Sequence, residues 1–216
     1  MIGRIVGAVA IVAVVAGLVW RLDTNGWGSL LWLVAAAAMG IIRAPFEAQT
    51  KQNTIERQEK TQTERPLLFL VMLGSSLIPL VHLLTGLFGV ADFDAPGWVP
   101  LLGLPLLVPG LWLFWRSHTD LGRNWSVTTE IREDHTLVTS GVYERIRHPM
   151  YTSLWLVFAS FPFFVHNWIA GLAGLVAFGV LYVIRVPYEE SMMTDRFGEA
   201  YAAYQQRTGR LWPRLR

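Results

Sequence analysis

The sequence predicts an all-α membrane protein with five to six transmembrane helices, the last two forming a helical hairpin, and a polar C-terminal segment on the cytoplasmic side. Three observations lead there. Of 216 residues, 53% are hydrophobic and only 16% charged, against roughly one quarter charged in soluble domains, and the mean hydropathy is +0.38. Long uncharged apolar runs recur along the chain. Arg and Lys concentrate in alternate connecting segments, as they do on the inner side of a bilayer.

The runs occupy residues 5–20, 27–42, 67–91, 98–115, 151–165 and 168–184. A spanning helix needs about 20 residues, so several runs reach that length with flanking residues. Only His166 and Asn167 separate the fifth run, the shortest, from the sixth, which predicts a hairpin with a tight turn. The first run follows Met1 and Arg4 without a small-residue cleavage site after it, so it reads as a retained helix rather than a signal peptide. Gly3 and Gly7 on it form a small-xxx-small pair of the kind found at helix contacts in membranes.

Charge orients the set. Arg43, Lys51, Arg57, Lys60 and Arg65 share one side with Arg116, Arg123, Arg132, Arg145 and Arg147, and with the Arg-rich stretch after the last run. The opposite loops hold Arg21, Asp92, Asp94 and His166. An even number of crossings puts both termini on the basic, cytoplasmic side of an inner or cytoplasmic membrane. The chain divides into an N-terminal helix pair (1–44), a polar cytoplasmic linker or helix extension (45–66), and a core (67–216).

Several functions are excluded by composition. With no Cys there is no disulfide, thiolate nucleophile or Cys-ligated metal. A net charge of +2 gives no electrostatic footprint for nucleic acid. His82 and His166 are isolated, and no metal-ligand spacing, P-loop, nucleophile elbow or zinc-protease motif occurs.

The remaining polar residues fall into segments 121–126, 137–151 and 188–213, which the topology brings to one membrane face. Pro149 suits the first turn of a helix and disfavours helical geometry at His148. Arg147 and His148 therefore sit just ahead of a helix N-terminus, where an anion is favoured; the alternative is an ordinary positive-inside anchor beside a helix-start residue. Glu189 and Glu190 close the sixth run, and carboxylates so near hydrocarbon call for partners unless they form a solvated interfacial pair. As adjacent helical residues they point in different directions, so at most one faces a given pocket. Residues 194–208 read as a short helix with Phe197, Tyr201 and Tyr204 on one face, for packing or as a lid over a flat heterocycle.

Gly141-Val-Tyr143, Arg147-His-Pro-Met-Tyr151, Glu189-Glu190, Phe197-Gly198, Tyr201, Tyr204 and Pro213, in that order, resemble the integral membrane methyltransferases, which include isoprenylcysteine carboxyl methyltransferase and the phospholipid N-methyltransferases. Leu121-Gly122 with Trp125-Ser126 is similar to the segment that precedes this motif, so the resemblance covers the chain from about Gly110 onward. A compact chain of this kind suggests the bacterial or archaeal branch, where prenylated C-terminal cysteines are not routine substrates.

The resemblance implies S-adenosylmethionine bound in a cytoplasm-facing pocket made by the last helices and the C-terminal segment. By position it assigns Val138, Thr139, Gly141, Tyr143, His148, Tyr151 and Glu190 to that cofactor, with Tyr201 and Tyr204 beside them. Arg147 and Glu189 are the catalytic candidates, Arg147 and His148 being placed to hold the cofactor's carboxylate. An ionised carboxylate acceptor needs no base, whereas an amine or thiol would give its proton to Glu189 or His148. The implied partner is a lipophilic small molecule or lipid that enters sideways from among the membrane lipids. Two alternatives stand beside this: a membrane NADPH-dependent reductase of the sterol-reductase type, and a non-enzymatic membrane scaffold.

Overall fold

The structure, a computed structural model, describes residues 12–50, 55–58, 61–125, 130–132 and 136–214. The beginning of the first apolar run, with the Gly3–Gly7 pair and the start relevant to a signal peptide, lies outside them; residues 12–20 form helix α1. The one-turn α2 (Leu22–Asn25) leads into α3 (Gly28–Thr50). Next come α4 (Thr61–Met72), a π-helical turn (Leu73–Leu77) and α5 (Ile78–Thr85). α6 (Pro100–Leu121), α7 (Pro149–Val165), α8 (Trp168–Phe197) and α9 (Glu199–Arg207) complete the set. Among the described residues, Gly28–Gln49, Glu64–Thr85 and Trp168–Phe197 are long and apolar enough to cross a membrane, and Pro149–Val165 is a shorter apolar helix.

The stretch read as a linker contributes to both neighbours. α3 continues to Thr50, and β1 (Ile55–Gln58) pairs antiparallel with β2 (Glu130–Arg132), tying it to the segment after α6. This small ribbon is an addition to an otherwise helical fold.

α6 packs along α7, α7 along α8, α3 against α6 and α7, and α4 with the π turn against α8. Aromatic side chains fill the centre. Phe161, Phe164 and Phe178 are fully buried, with edge-on contacts between Trp32 and Phe161 and between Phe158 and Phe178. Interior helices can be aromatic on so many sides because water is absent from both the core and the surrounding hydrocarbon.

The α7–α8 hairpin turns as its two-residue connection predicts. His166 takes a left-handed φ of 51°, and Asn167 caps α8 by accepting from Ala170 N at 2.7 Å. The same side chain donates to Phe88 O (2.7 Å) and Asp92 Oδ1 (2.6 Å). Arg21, Asp92 and His166 thus lie at one end of the bundle and Arg147, Arg185 and Arg210 at the other, the separation read from the charge map.

Two boundaries differ from the sequence reading. α8 runs through Pro187 and past Glu189-Glu190 to Phe197, so the acidic pair lies within the helix rather than at its unfavourable C-terminal end. Gly198, at φ +49°, then breaks the helix expected over 194–208. Phe197 belongs to α8, and only Tyr201 and Tyr204 share α9. A left-handed φ is inexpensive only for glycine, which is why the break falls there.

Candidate active site

A cavity of about 630 Å³ runs from the basic end of the bundle toward its middle. Val138, Tyr143, Arg147, His148, Tyr151, Arg185, Glu189, Tyr201 and Tyr204 line its polar end. The rest is apolar. Ala36, Met39, Gly40 and Arg43 on α3 face Leu68, Val71, Met72 and Ser75 on α4 and the π turn. Both sets follow the i, i+3, i+4, i+7 spacing of a single helix face.

At the polar end the acidic pair divides. Glu189 lines the cavity, its Oε1 accepting from Tyr151 Oη and from Arg185 Nε, each at 2.7 Å. Its Oε2 stands 3.8 Å from His148 Nδ1. Glu190, one residue on and about 100° round the helix, turns away from the cavity. Its Oε1 accepts from Arg147 Nε (3.3 Å), His148 Nε2 (3.3 Å) and Arg210 Nε (3.2 Å), and its Oε2 from Arg210 Nη2. A carboxylate only accepts, so His148 Nε2 carries the hydrogen in this contact.

Just ahead of α7, Arg147 and His148 bind another part of the chain. The segment after α9 lies beside it as a short parallel bridge between Ile146 and Gly209. Arg147 N donates to Gly209 O (2.8 Å), His148 N to Arg210 O (3.0 Å), and Thr152 Oγ1 to Leu211 O (2.7 Å). Arg147 Nη1 donates to the carbonyls of Gln205 (3.2 Å) and Thr208 (2.6 Å). The backbone N–H groups of Arg147 and His148 and the Arg147 guanidinium thus hold the C-terminal segment in place.

Besides Glu190, two of the expected contact residues stand back from the cavity. Thr139 and Gly141 do not line it. Gly141 has φ +61°, and a Cβ there would run into the Asp120 carboxylate. Asp120 accepts from Val142 N at 2.9 Å, so the glycine serves a tight backbone approach. The short 3₁₀ turn that follows (Gly141–Glu144) delivers Tyr143 to the wall, where its hydroxyl donates to Ser117 O at 3.2 Å.

The tyrosines of α9 are buried, Tyr201 to 2% and Tyr204 to 3% exposure. Tyr204 Oη donates to Tyr143 O at 2.6 Å. Burial pushes the Tyr204 phenol up to about 12 and raises those of Tyr201 and Tyr143 further, so all three stay neutral donors at physiological pH. Arg210, outside the helices, is raised by its hydrogen bonds to Glu190.

Three charged residues of the cluster escaped the sequence reading. Arg185 read as a topological anchor, although its i, i+4 spacing to Glu189 was visible. Arg210 was one of many basic residues in the tail. Glu64 is 5% exposed and lies 3.7 Å from Arg185 Nε through its Oε1, whereas its segment read as solvated. Among the described residues, no group of three His, Cys, Asp or Glu is placed to hold a metal ion.

This architecture has known relatives. The family model for phospholipid methyltransferases matches residues 98–200. Protein-S-isoprenylcysteine O-methyltransferase B of Arabidopsis thaliana is 32% identical over 63% of this chain and 76% of its own length. The human protein-S-isoprenylcysteine O-methyltransferase is 31% identical over 51% of this chain and 39% of its own. The solved structure of the eukaryotic intramembrane Ras methyltransferase, isoprenylcysteine carboxyl methyltransferase, shares the fold with a TM-score of 0.57 at 22% identity, over 91% of this chain and 71% of that one. The apolar helices, the ordered motif and these similarities agree: the chain belongs to the isoprenylcysteine carboxyl methyltransferase family of integral membrane methyltransferases.

Proposed function

We propose that the protein transfers a methyl group from S-adenosylmethionine to a lipophilic acceptor, with the donor at the polar end of the cavity and the acceptor in the arm between α3 and α4. The observation that carries this is the continuity of the cavity from Glu189 and Tyr201 to the apolar faces of Met39 and Val71. A polar donor and a greasy acceptor need such a two-sided site. A volume of about 630 Å³ falls within the roughly 300–1,000 Å³ range of ligand cavities.

The residues fit this donor. Tyr143, Tyr201 and Tyr204 offer aromatic faces to a sulfonium or an adenine, and Glu189 Oε2 offers an acceptor to an ammonium or hydroxyl. Tyr151 and Arg185 fix the Glu189 carboxylate through its other oxygen. Glu190, with Arg147, His148 and Arg210, clamps the C-terminal segment so that α9 closes over the cavity. When bound, the donor supplies an electrophilic methyl group for direct in-line displacement, for which orientation provides much of the acceleration. A carboxylate acceptor needs no proton removed; an amine or thiol acceptor gives its proton to Glu189 Oε2.

The relatives' names concern prenylated cysteine, and an isoprenylcysteine-like carboxylate, a phospholipid amine or another small lipophilic group each suit the apolar arm. The acceptor enters sideways from the bilayer, where the α3 and α4 faces meet lipid. The basic end is cytoplasmic, with both termini, by the distribution of Arg and Lys.

Calorimetry on purified protein in detergent tests the donor. Micromolar binding of S-adenosylmethionine is expected, with His148→Ala and Glu189→Ala each about tenfold weaker or worse. Folded wild-type protein that binds S-adenosylmethionine no better than NADPH would sink the reading in favour of a reductase.

A further inference from the structure

We propose that Glu64, on a helix outside residues 98–200 matched by the phospholipid methyltransferase family model, is a positioning residue that fixes Arg185 and, through Arg185, sets the Glu189 carboxylate at the wall of the donor site. The inference rests on the proposed donor site.

Burial and placement motivate it. Glu64 opens the membrane-facing part of α4 and is 5% exposed, whereas Arg65 beside it is exposed like an ordinary interfacial anchor. A carboxylate at the edge of hydrocarbon is costly and persists where a partner holds it. Here the contact is Arg185, 3.7 Å from Glu64 Oε1 and itself mostly buried. The Nε edge of Arg185 lies between two carboxylates on different helices, Glu64 on α4 and Glu189 on α8.

A guanidinium is planar and rigid but sits on a long rotatable stem. One carboxylate on its own helix, four residues away, leaves several stem rotamers open. A second carboxylate arriving from α4 selects among them. The selection matters because Glu189 Oε1 is shared by Arg185 and Tyr151, each at 2.7 Å. With Oε1 fixed, Oε2 is directed at the cavity and toward His148. Glu64 thereby acts on the donor site without lining the cavity itself. α4 also carries Leu68, Val71 and Met72 on the acceptor arm, so the contact joins the two halves of the cavity mechanically.

The test is a double-mutant cycle read by calorimetric binding of S-adenosylmethionine to purified protein in detergent, with thermal stability of the unliganded protein followed in parallel. Glu64→Gln keeps the volume and removes the charge. It is expected to weaken binding about fivefold to tenfold, as is Arg185→Gln, and the double variant is expected to be no weaker than Arg185→Gln alone. Glu64→Asp should recover part of the loss. If Glu64→Gln does not fold, Glu64→Asp takes its place in the cycle, with a loss of about twofold to fivefold that vanishes in the Arg185→Gln background. Losses that multiply in the double variant would overturn the proposal. So would a lowered melting temperature with wild-type affinity, the signature of a structural role only. Wild-type protein that is folded but binds no S-adenosylmethionine would overturn the donor-site reading and this inference together, a result distinct from either.

Discussion

Glu189 and Glu190 are neighbours with different duties, and the difference comes from one step of helical rotation. Glu190 meets Arg147, His148 and Arg210 and leaves little acceptor capacity for a ligand, while Glu189 presents Oε2 to the cavity. Glu190→Ala should therefore act on the C-terminal segment: Arg147 and Arg210 lose their shared anion, and limited proteolysis of residues after α9 is expected to accelerate. Unchanged proteolysis with weakened donor binding would return Glu190 to the cavity wall. Tyr204 gives a second residue-level expectation. Replacing it by Phe removes the hydrogen bond to Tyr143 O and costs about 1 kcal/mol. Because burial raises the phenol to about 12, the folded protein holds this proton more tightly than the unfolded chain, whose tyrosines titrate near 10. The associated stability is complete below pH 10 and is lost as pH rises toward 12. A melting temperature that falls across that window in wild type, and less so in Tyr204→Phe, is the expected result.

At the scale of elements, the α7–α8 hairpin depends on a two-residue turn and one buried side chain. Asn167 is fully buried, caps α8 through its oxygen and satisfies Phe88 O and Asp92 through its nitrogen. Asn167→Ala should cost about 1–2 kcal/mol for the cap and more for the acceptors left unpaired. Asn167→Asp keeps the cap oxygen yet sets a carboxylate against Asp92, and should be the worse of the two in thermal melts. Such elements were legible in the sequence to different depths. The hairpin was readable because apolar runs are long-range in neither cause nor effect: the length of the run and the two polar residues between runs suffice. The end of α8 was not, because two adjacent acids close the apolar run, whereas Arg147 and Arg210 arrive from elsewhere in the chain and join Arg185 of the same helix in compensating them. The start of α7 was read correctly from Pro149, but the pairing of Arg147 N and His148 N just ahead of it was not. The carbonyls that take them come from Gly209 and Arg210, some sixty residues away, and no local pattern announces that pairing. Glu64 was missed for the same reason, since its partner lies on another helix.

For the molecule as a whole, one cavity joins the polar end proposed as the donor site to a mostly apolar arm between α3 and α4. Gly40 lies on that arm, and a Cβ there would have no neighbour within 4 Å. Gly40→Trp should therefore fill the arm without disturbing the fold. S-adenosylmethionine affinity is expected to stay within about twofold of wild type, while transfer of its methyl group to extractable lipid falls at least tenfold. Equal loss of both would show that the arm is not separate from the donor site. The most direct test of the whole account is a density map of the protein with S-adenosylmethionine bound. The account predicts the cofactor between Tyr143, Glu189 and Tyr201, with its methyl group directed toward the arm between α3 and α4. Cofactor density outside this cavity, or a methyl group directed away from the apolar arm, would contradict it.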